Sequence, residues 1–185
     1  MISAKKYLKE GLPIILLCLT LELVAGNSLS HMQKEIVSVP GLLVLLPPVM
    51  CIRGNIYGSL GSRLTTSLHL GLIDPSVWRS KVLNVNIYAS LSQTLFMSIF
   101  VGIFAHYACL LLNLPSAGIL TLILISLIAG IVSGFFLTFL AIFISFFGYS
   151  HGLNPDNFIA PLLATIGDII TVFSLFPAIW LVRVL

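Results

Sequence analysis

Asp168 lies 13 residues after Pro155 in an otherwise apolar stretch, about 20 Å along a helix that rises about 1.5 Å per residue. A carboxylate that deep in a hydrophobic segment costs at least about 2.5–3.5 kcal/mol on insertion scales, so its presence requires a partner or a use. At helical spacing one face collects Asn157, Pro161, Ala164, Thr165, Asp168 and Thr171. The opposite side carries Phe158, Leu162, Ile166, Ile169 and Ile170. A small, polar face inside a membrane either packs against protein or lines a wet path. Pro161 has no N–H and leaves the Asn157 carbonyl without its helical donor, an oxygen free for a ligand. Two uses fit Asp168: a station on an ion path, or a structural hydrogen bond to a neighbouring helix.

A second polar face recurs in an earlier apolar segment, at Asn55, Ser59, Ser62, Thr66 and His69. Beside it Gly54, Gly58 and Gly61 form a ridge that admits a close helix neighbour, which packing alone explains equally well. Three further charges fall inside apolar runs: Glu22, Arg53 and Arg63. With Asp168 they sum to zero, a balance compatible with internal pairing. A guanidinium in a cation path repels the cation, so both arginines read as structural, Arg63 as an anchor at one membrane end. Glu22, near the middle of the first segment, fits a functional and a structural role equally. The start of the third segment is unusually polar (Asn84, Asn86, Ser90, Ser92, Gln93, Thr94), which points to hydrogen bonds between helices.

Other chemistry finds no constellation. His31, His69, His106 and His151 lack metal-ligand spacing, and Cys18, Cys51 and Cys109 read as small, buried apolar side chains. The stretch Gly130-Ile131-Val132-Ser133-Gly134 lacks the spacing of an intramembrane serine protease, and no phosphate-binding loop is present. These residues encode no catalytic site, no organic cofactor and no ATP-driven step, and the chain is expected not to be an enzyme.

The elements that hold these residues follow from composition. Of 185 residues 58% are hydrophobic and 8% charged, against about 25% charged in soluble domains. No Asp, Glu, Lys or Arg occurs over 82–155, a run of 74 residues, which holds two spans of about 20 residues and a turn. A soluble enzyme, a disulfide-rich domain and a nucleic-acid-binding module are excluded. The pattern predicts an all-α polytopic protein, one membrane domain over 1–185 with spans near 11–30, 39–72, 82–112, 117–147 and 155–182. The second stretch is too long for one straight crossing, and Pro47-Pro48 together with its glycines predicts a break. Lys5, Lys6 and Lys9 before the first span, with Arg63, Arg79 and Lys81 around the second loop, place the N-terminus in the cytoplasm and the C-terminus outside, in a multi-pass cell-membrane protein.

Two ordered motifs resemble one family. The first is Pro47-Pro48-Val49-Met50-Cys51-Ile52-Arg53-Gly54-Asn55 followed by Gly61-Ser62-Arg63-Leu64-Thr65-Thr66. The second is Leu153-Asn154-Pro155-Asp156-Asn157 followed by Ala160-Pro161-Leu162-Leu163-Ala164-Thr165-Ile166-Gly167-Asp168. Together they resemble the MgtE-type magnesium transporters and their eukaryotic solute-carrier relatives, over nearly the whole chain. The resemblance implies a dimer of five-helix units, formed with a second copy or a homologous half, with a cation path at the interface. It implies that Asp168 from each unit holds a largely hydrated Mg2+, with Ala164 and Thr165 flanking the site and Asn55 on the pore side. Asn157, Ala160, Pro161, Ser59, Thr171, Asp156 and Glu22 complete the candidate path. Mg2+ suits such a site, because it takes oxygen ligands and gives up water reluctantly. Protons compete with it for the same carboxylates, so flux is expected to fall as pH falls. The chain departs from the family at Asn154, where the motif has Asp, and with about ten residues before the first span a cytosolic Mg2+ sensor is not expected.

Overall fold

The computed structural model describes residues 4–74, 80–152 and 155–184; Arg79 and Asn154 fall outside them. Six helices follow in order: α1 (Ala4–His31), α2 (Gln33–Ser38), α3 (Leu42–His69), α4 (Lys81–Leu111), α5 (Ile119–Ser150) and α6 (Pro155–Val184). No strand occurs among the described residues. Five helices are long and apolar enough to cross a membrane, all but the six-residue α2.

The excess length before the second span is taken up outside α3. Residues 33–38 form α2, and the chain reverses at Gly41, whose φ of 87° is a left-handed value that favours glycine. A Cβ there would also meet Cys109 Sγ at 3.1 Å. Helix α3 then runs from Leu42 to His69 with Pro47 and Pro48 inside it, where the sequence predicts a break. Both prolines are exposed, near the helix start. Their rings and the two missing N–H bonds fall on the outside of the bundle, so the core does not have to absorb them.

Helix α3 is the hub. On one side it meets α6 through the glycine ridge. A Cβ on Gly54 would lie 3.3 Å from the Ala164 Cβ, and one on Gly58 3.8 Å from that of Ala160. A Cβ on Gly61 would lie 2.5 Å from Ile159 Cγ2 and 2.6 Å from Leu163 Cδ1. These contacts fix an antiparallel register in which Met50 stands level with Asp168 and Arg63 with the first turn of α6.

On another side α3 meets α4 through a ladder of polar side chains. Asn86, Ser90, Thr94 and Ser98 recur every fourth residue and so share one face of α4. Arg63 Nε donates to Asn86 Oδ1 and Arg63 Nη2 to Ser90 Oγ, both at 2.9 Å. The Tyr57 and Thr94 hydroxyls lie 3.0 Å apart, and Arg53 Nη2 donates to Ser98 Oγ at 2.9 Å. Hydrogen bonds substitute here for a hydrophobic force, which is weak between helices already surrounded by hydrocarbon.

Two buried clusters complete the core. One, at the α2 end, joins Met32, Leu42, Leu45, Val49, Leu122, Val172 and Leu175; the other, at the far end, joins Tyr57, Leu60, Leu64, Leu137, Ile159 and Leu163. The outer surface of α4, α5 and α6 is aromatic and aliphatic, with Phe96, Phe104, Phe135, Phe139, Phe143, Phe173 and Trp180 all exposed.

Candidate functional site

The polar stripe of α3 is not covered by the rest of the chain. Asn55, Ser59, Ser62, Thr66 and His69 are all exposed along one line of the helix. Between this stripe and α6 lies a cavity of about 750 Å³. Asn55, Ser59, Ser62 and Arg63 line its α3 wall, and Ala160, Pro161, Ala164 and Asp168 its α6 wall. The glycine ridge sets the separation of the two walls, because a larger residue at Gly54 or Gly58 would push α6 outward.

Asp168 is half-buried at the inner end of the cavity. Its carboxyl group stands within hydrogen-bonding reach of Glu22, half-buried on α1. Sequence reasoning treated these two residues separately, since nothing local in either segment announces that α1 packs beside α6. Two neighbouring acidic groups, one of them lining the cavity, make a place where positive charge is favoured.

The candidate residues divide between the cavity and the packed interior. Asn55, Ser59, Ala160, Pro161, Ala164 and Asp168 come together in it. Thr165 is buried at 5% exposure and Thr171 at 0%, and the Thr171 hydroxyl donates to the Gly167 carbonyl of its own helix at 2.7 Å. Neither lines the cavity. One turn beyond Asp168 the helix enters the α2-end cluster at Val172 and Leu175. The side chains of Asp156 and Asn157 lie outside the described residues.

Three lining residues escaped the sequence reading. Met50 and Cys51 stand at the level of Asp168, and Cys51 is exposed, its Sγ accepting from Asn55 Nδ2 at 3.3 Å. The expectation of a small buried side chain holds for Cys18 and Cys109 alone. Arg63 lines the opposite end, about 20 Å from Asp168 along the helix axis by the register above. Arg53, the other intramembrane guanidinium, is 1% exposed and turned away from the cavity, donating to Ser98 and, at 3.4 Å, to the Ser126 carbonyl. Arg53 is thus an interhelical fastener set away from the cavity, whereas Arg63 fastens α3 to α4 and also borders the far end of the cavity, where the sequence reading expects no guanidinium. Their hydrogen bonds run to α4 and α5 rather than to Glu22 or Asp168.

The walls of this cavity offer a carboxylate, an amide, hydroxyls and a thiol, with one guanidinium at the far end. Six waters of an octahedral shell occupy about 30 Å³ each at liquid density, so the space admits a hydrated divalent ion without stripping it.

Five long apolar helices, two of them flanking a cavity with polar side chains, make a multi-pass, all-helical membrane protein. Residues 46–178 match the MgtE family, described as divalent cation transporter, and the chain belongs to that family. Both motifs fall within the match; α1, with Glu22, falls outside it. Solute carrier family 41 member 3 of Rattus norvegicus is 32% identical over 169 residues, covering 87% of this chain and 36% of that protein. The Mus musculus member 3 is 32% identical over 155 residues, covering 80% and 31%. Solute carrier family 41 member 2 of Homo sapiens is 26% identical over 147 residues, covering 72% and 24%. The chain therefore spans about a third or less of the length of these relatives. No solved structure matches it.

Proposed function

We propose that the chain is the membrane-embedded unit of a magnesium transporter, in which Mg2+ passes between this unit and a second copy or a homologous five-helix half. The observation that carries this reading is the uncovered polar stripe of α3 facing Asp168 across the cavity. Lipid cannot satisfy an amide, three hydroxyls and an imidazole along one span, so water, ions or another protein must meet them. A second unit laid on this face encloses the cavity and brings its own Asp168 near the first.

Asp168 is then the charged station, reading the hydrated ion through its waters as well as directly. The Asn55 and Ser59 side chains and the main chain around Ala160, Pro161 and Ala164 supply neutral oxygens along the route. Glu22 adds negative charge behind Asp168 rather than lining the wall. Asp156, by its place in the first turn of α6, stands at the mouth. The loop basics orient that mouth toward the cytoplasm and the N-terminus with it.

Radioactive Mg2+ uptake into proteoliposomes tests the site. Asp168→Ala and Asp168→Asn are each expected to reduce flux to the protein-free background, and the asparagine variant separates charge from shape. Flux at the parent level in Asp168→Asn rejects the reading. A second reading has a specific observation behind it: the Asp168–Glu22 contact joins α6 to α1, so the carboxyl pair could serve assembly in a non-transporting partner subunit. In that case Asp168→Ala shifts the size-exclusion profile, whereas a transport site leaves it unchanged.

A further inference from the structure

We propose that Arg53 tunes the ion site from behind the α3 wall: its buried, uncompensated positive charge weakens the hold of Asp168 and Glu22 on a divalent cation and so lets the ion move on. The inference rests on the transport reading above and names a residue that sets the affinity of the same site without touching the ion. Arg53 is 1% exposed, and its guanidinium lies at the junction of α3, α4 and α5. The bundle makes room for it there. A Cβ on Gly130 of α5 would overlap Arg53 Nη2 and Ser98 Oγ, so α5 carries no side chain where the guanidinium sits. By the α3–α6 register the charge stands about one helical turn from Asp168 in depth, on the side of α3 turned from the cavity.

Fastening alone does not account for this side chain. Among the described residues only Nη2 finds partners, Ser98 Oγ and the Ser126 carbonyl, while Nε and Nη1 find none. A fastener that uses one nitrogen of three needs no more than an amide. Both acceptors are neutral, so the positive charge is not cancelled where it is held. The acidic groups nearest in depth are Asp168 and Glu22, across the width of α3. A lone charge inside a span is costly, which points to a use for the charge itself. Coulomb repulsion reaches well past contact. At roughly 15 Å and an effective dielectric constant of about 20, it weakens the binding of a divalent ion by more than tenfold. Water in the cavity screens part of this, which leaves about tenfold. A conducting site must bind well enough to admit its ion and weakly enough to release it. The two neighbouring carboxylates serve the first need, and Arg53 the second.

Flux into proteoliposomes of the full chain, followed against Mg2+ concentration, separates affinity from maximal rate. Arg53→Gln keeps a donor for Ser98 and loses the charge; its half-saturating concentration is expected to fall about tenfold, with a lower maximal flux. Arg53→Met, neutral and without the donor, should shift in the same direction by a similar factor. Ser98→Ala removes the hydrogen bond and keeps the charge, so its half-saturation should stay within about twofold of the parent. A purely structural role lowers the yield of folded protein, seen by size exclusion, and does not tighten the site. Isothermal titration of Mg2+ into the detergent-solubilised full chain makes the same comparison for any variant whose flux is too low to fit. An unchanged or raised half-saturation in Arg53→Gln, or an equal fall in Ser98→Ala, overturns the proposal, while saturable flux in the parent leaves the transport reading standing. A parent without saturable Mg2+ flux overturns both.

Discussion

The two polar faces of α3 use similar residues to opposite ends. Toward α4, Arg53, Tyr57 and Arg63 meet hydroxyls and an amide at 2.9–3.0 Å. Toward the cavity, Asn55, Ser59 and Ser62 lie exposed and reach no neighbouring helix. Side-chain type does not separate a fastener from a wall; the presence of a complementary ladder opposite does. Arg53 and Asp168 make the same point for charge. They sit about one helical turn apart in depth, yet one is sealed among Ser98, Ser126 and the α5 backbone while the other borders an open space.

That contrast can be attacked from either face. The largest expected effect belongs to Asp168→Asn, which should abolish flux while the protein still folds, read as an unchanged size-exclusion profile. Next comes Gly61→Val, which places a branched side chain against Ile159 and Leu163. Overpacking of this kind costs about 1–3 kcal/mol, and it should appear as a lower unfolding midpoint together with a wider α3–α6 gap. Thr94→Val removes one partner of the buried Tyr57 hydroxyl, leaving Thr138 as the other, and should cost about 1 kcal/mol with flux retained; a loss of flux at unchanged stability would break the division between the faces. Ser59→Ala should be the mildest for stability, within about 0.5 kcal/mol, and its effect should appear in the ion-concentration dependence of flux. An equal stability loss in Ser59→Ala and Thr94→Val would mean that the cavity face is packed after all.

The five spans were legible because each is a long apolar run bounded by turn residues, and Asp168 because a carboxylate is conspicuous among aliphatics. The glycine ridge declared itself by spacing, and α6 is the helix it receives. Charge repulsion set Arg53 apart from the cavity, but it gave no sign that Arg63, while holding α4, also borders the cavity's far end. What stayed hidden depends on which helix stands beside which. Thr171 shares the Asp168 side of α6 in projection, but it is buried, bonded to the Gly167 carbonyl and not part of the cavity wall. Thr165 is likewise lost to packing. Glu22 meets Asp168 only because α1 lies along α6, a relation no local pattern encodes. The prolines marked a break by their chemistry, yet near an exposed helix start the missing bonds face outward and the helix continues through them.

Helix α1 leaves nearly all of its apolar length uncovered: Leu12, Ile15, Leu16, Leu19 and Leu23 are exposed, and its packing is with α6 and α2. In a membrane that surface is bathed in acyl chains. Bilayer thickness therefore bears on α1 more directly than on the α3–α5 core, since a mismatched span adjusts by tilting. A change in the tilt of this peripheral rod would move one carboxyl group relative to the other, so flux measured in bilayers of different thickness is expected to differ.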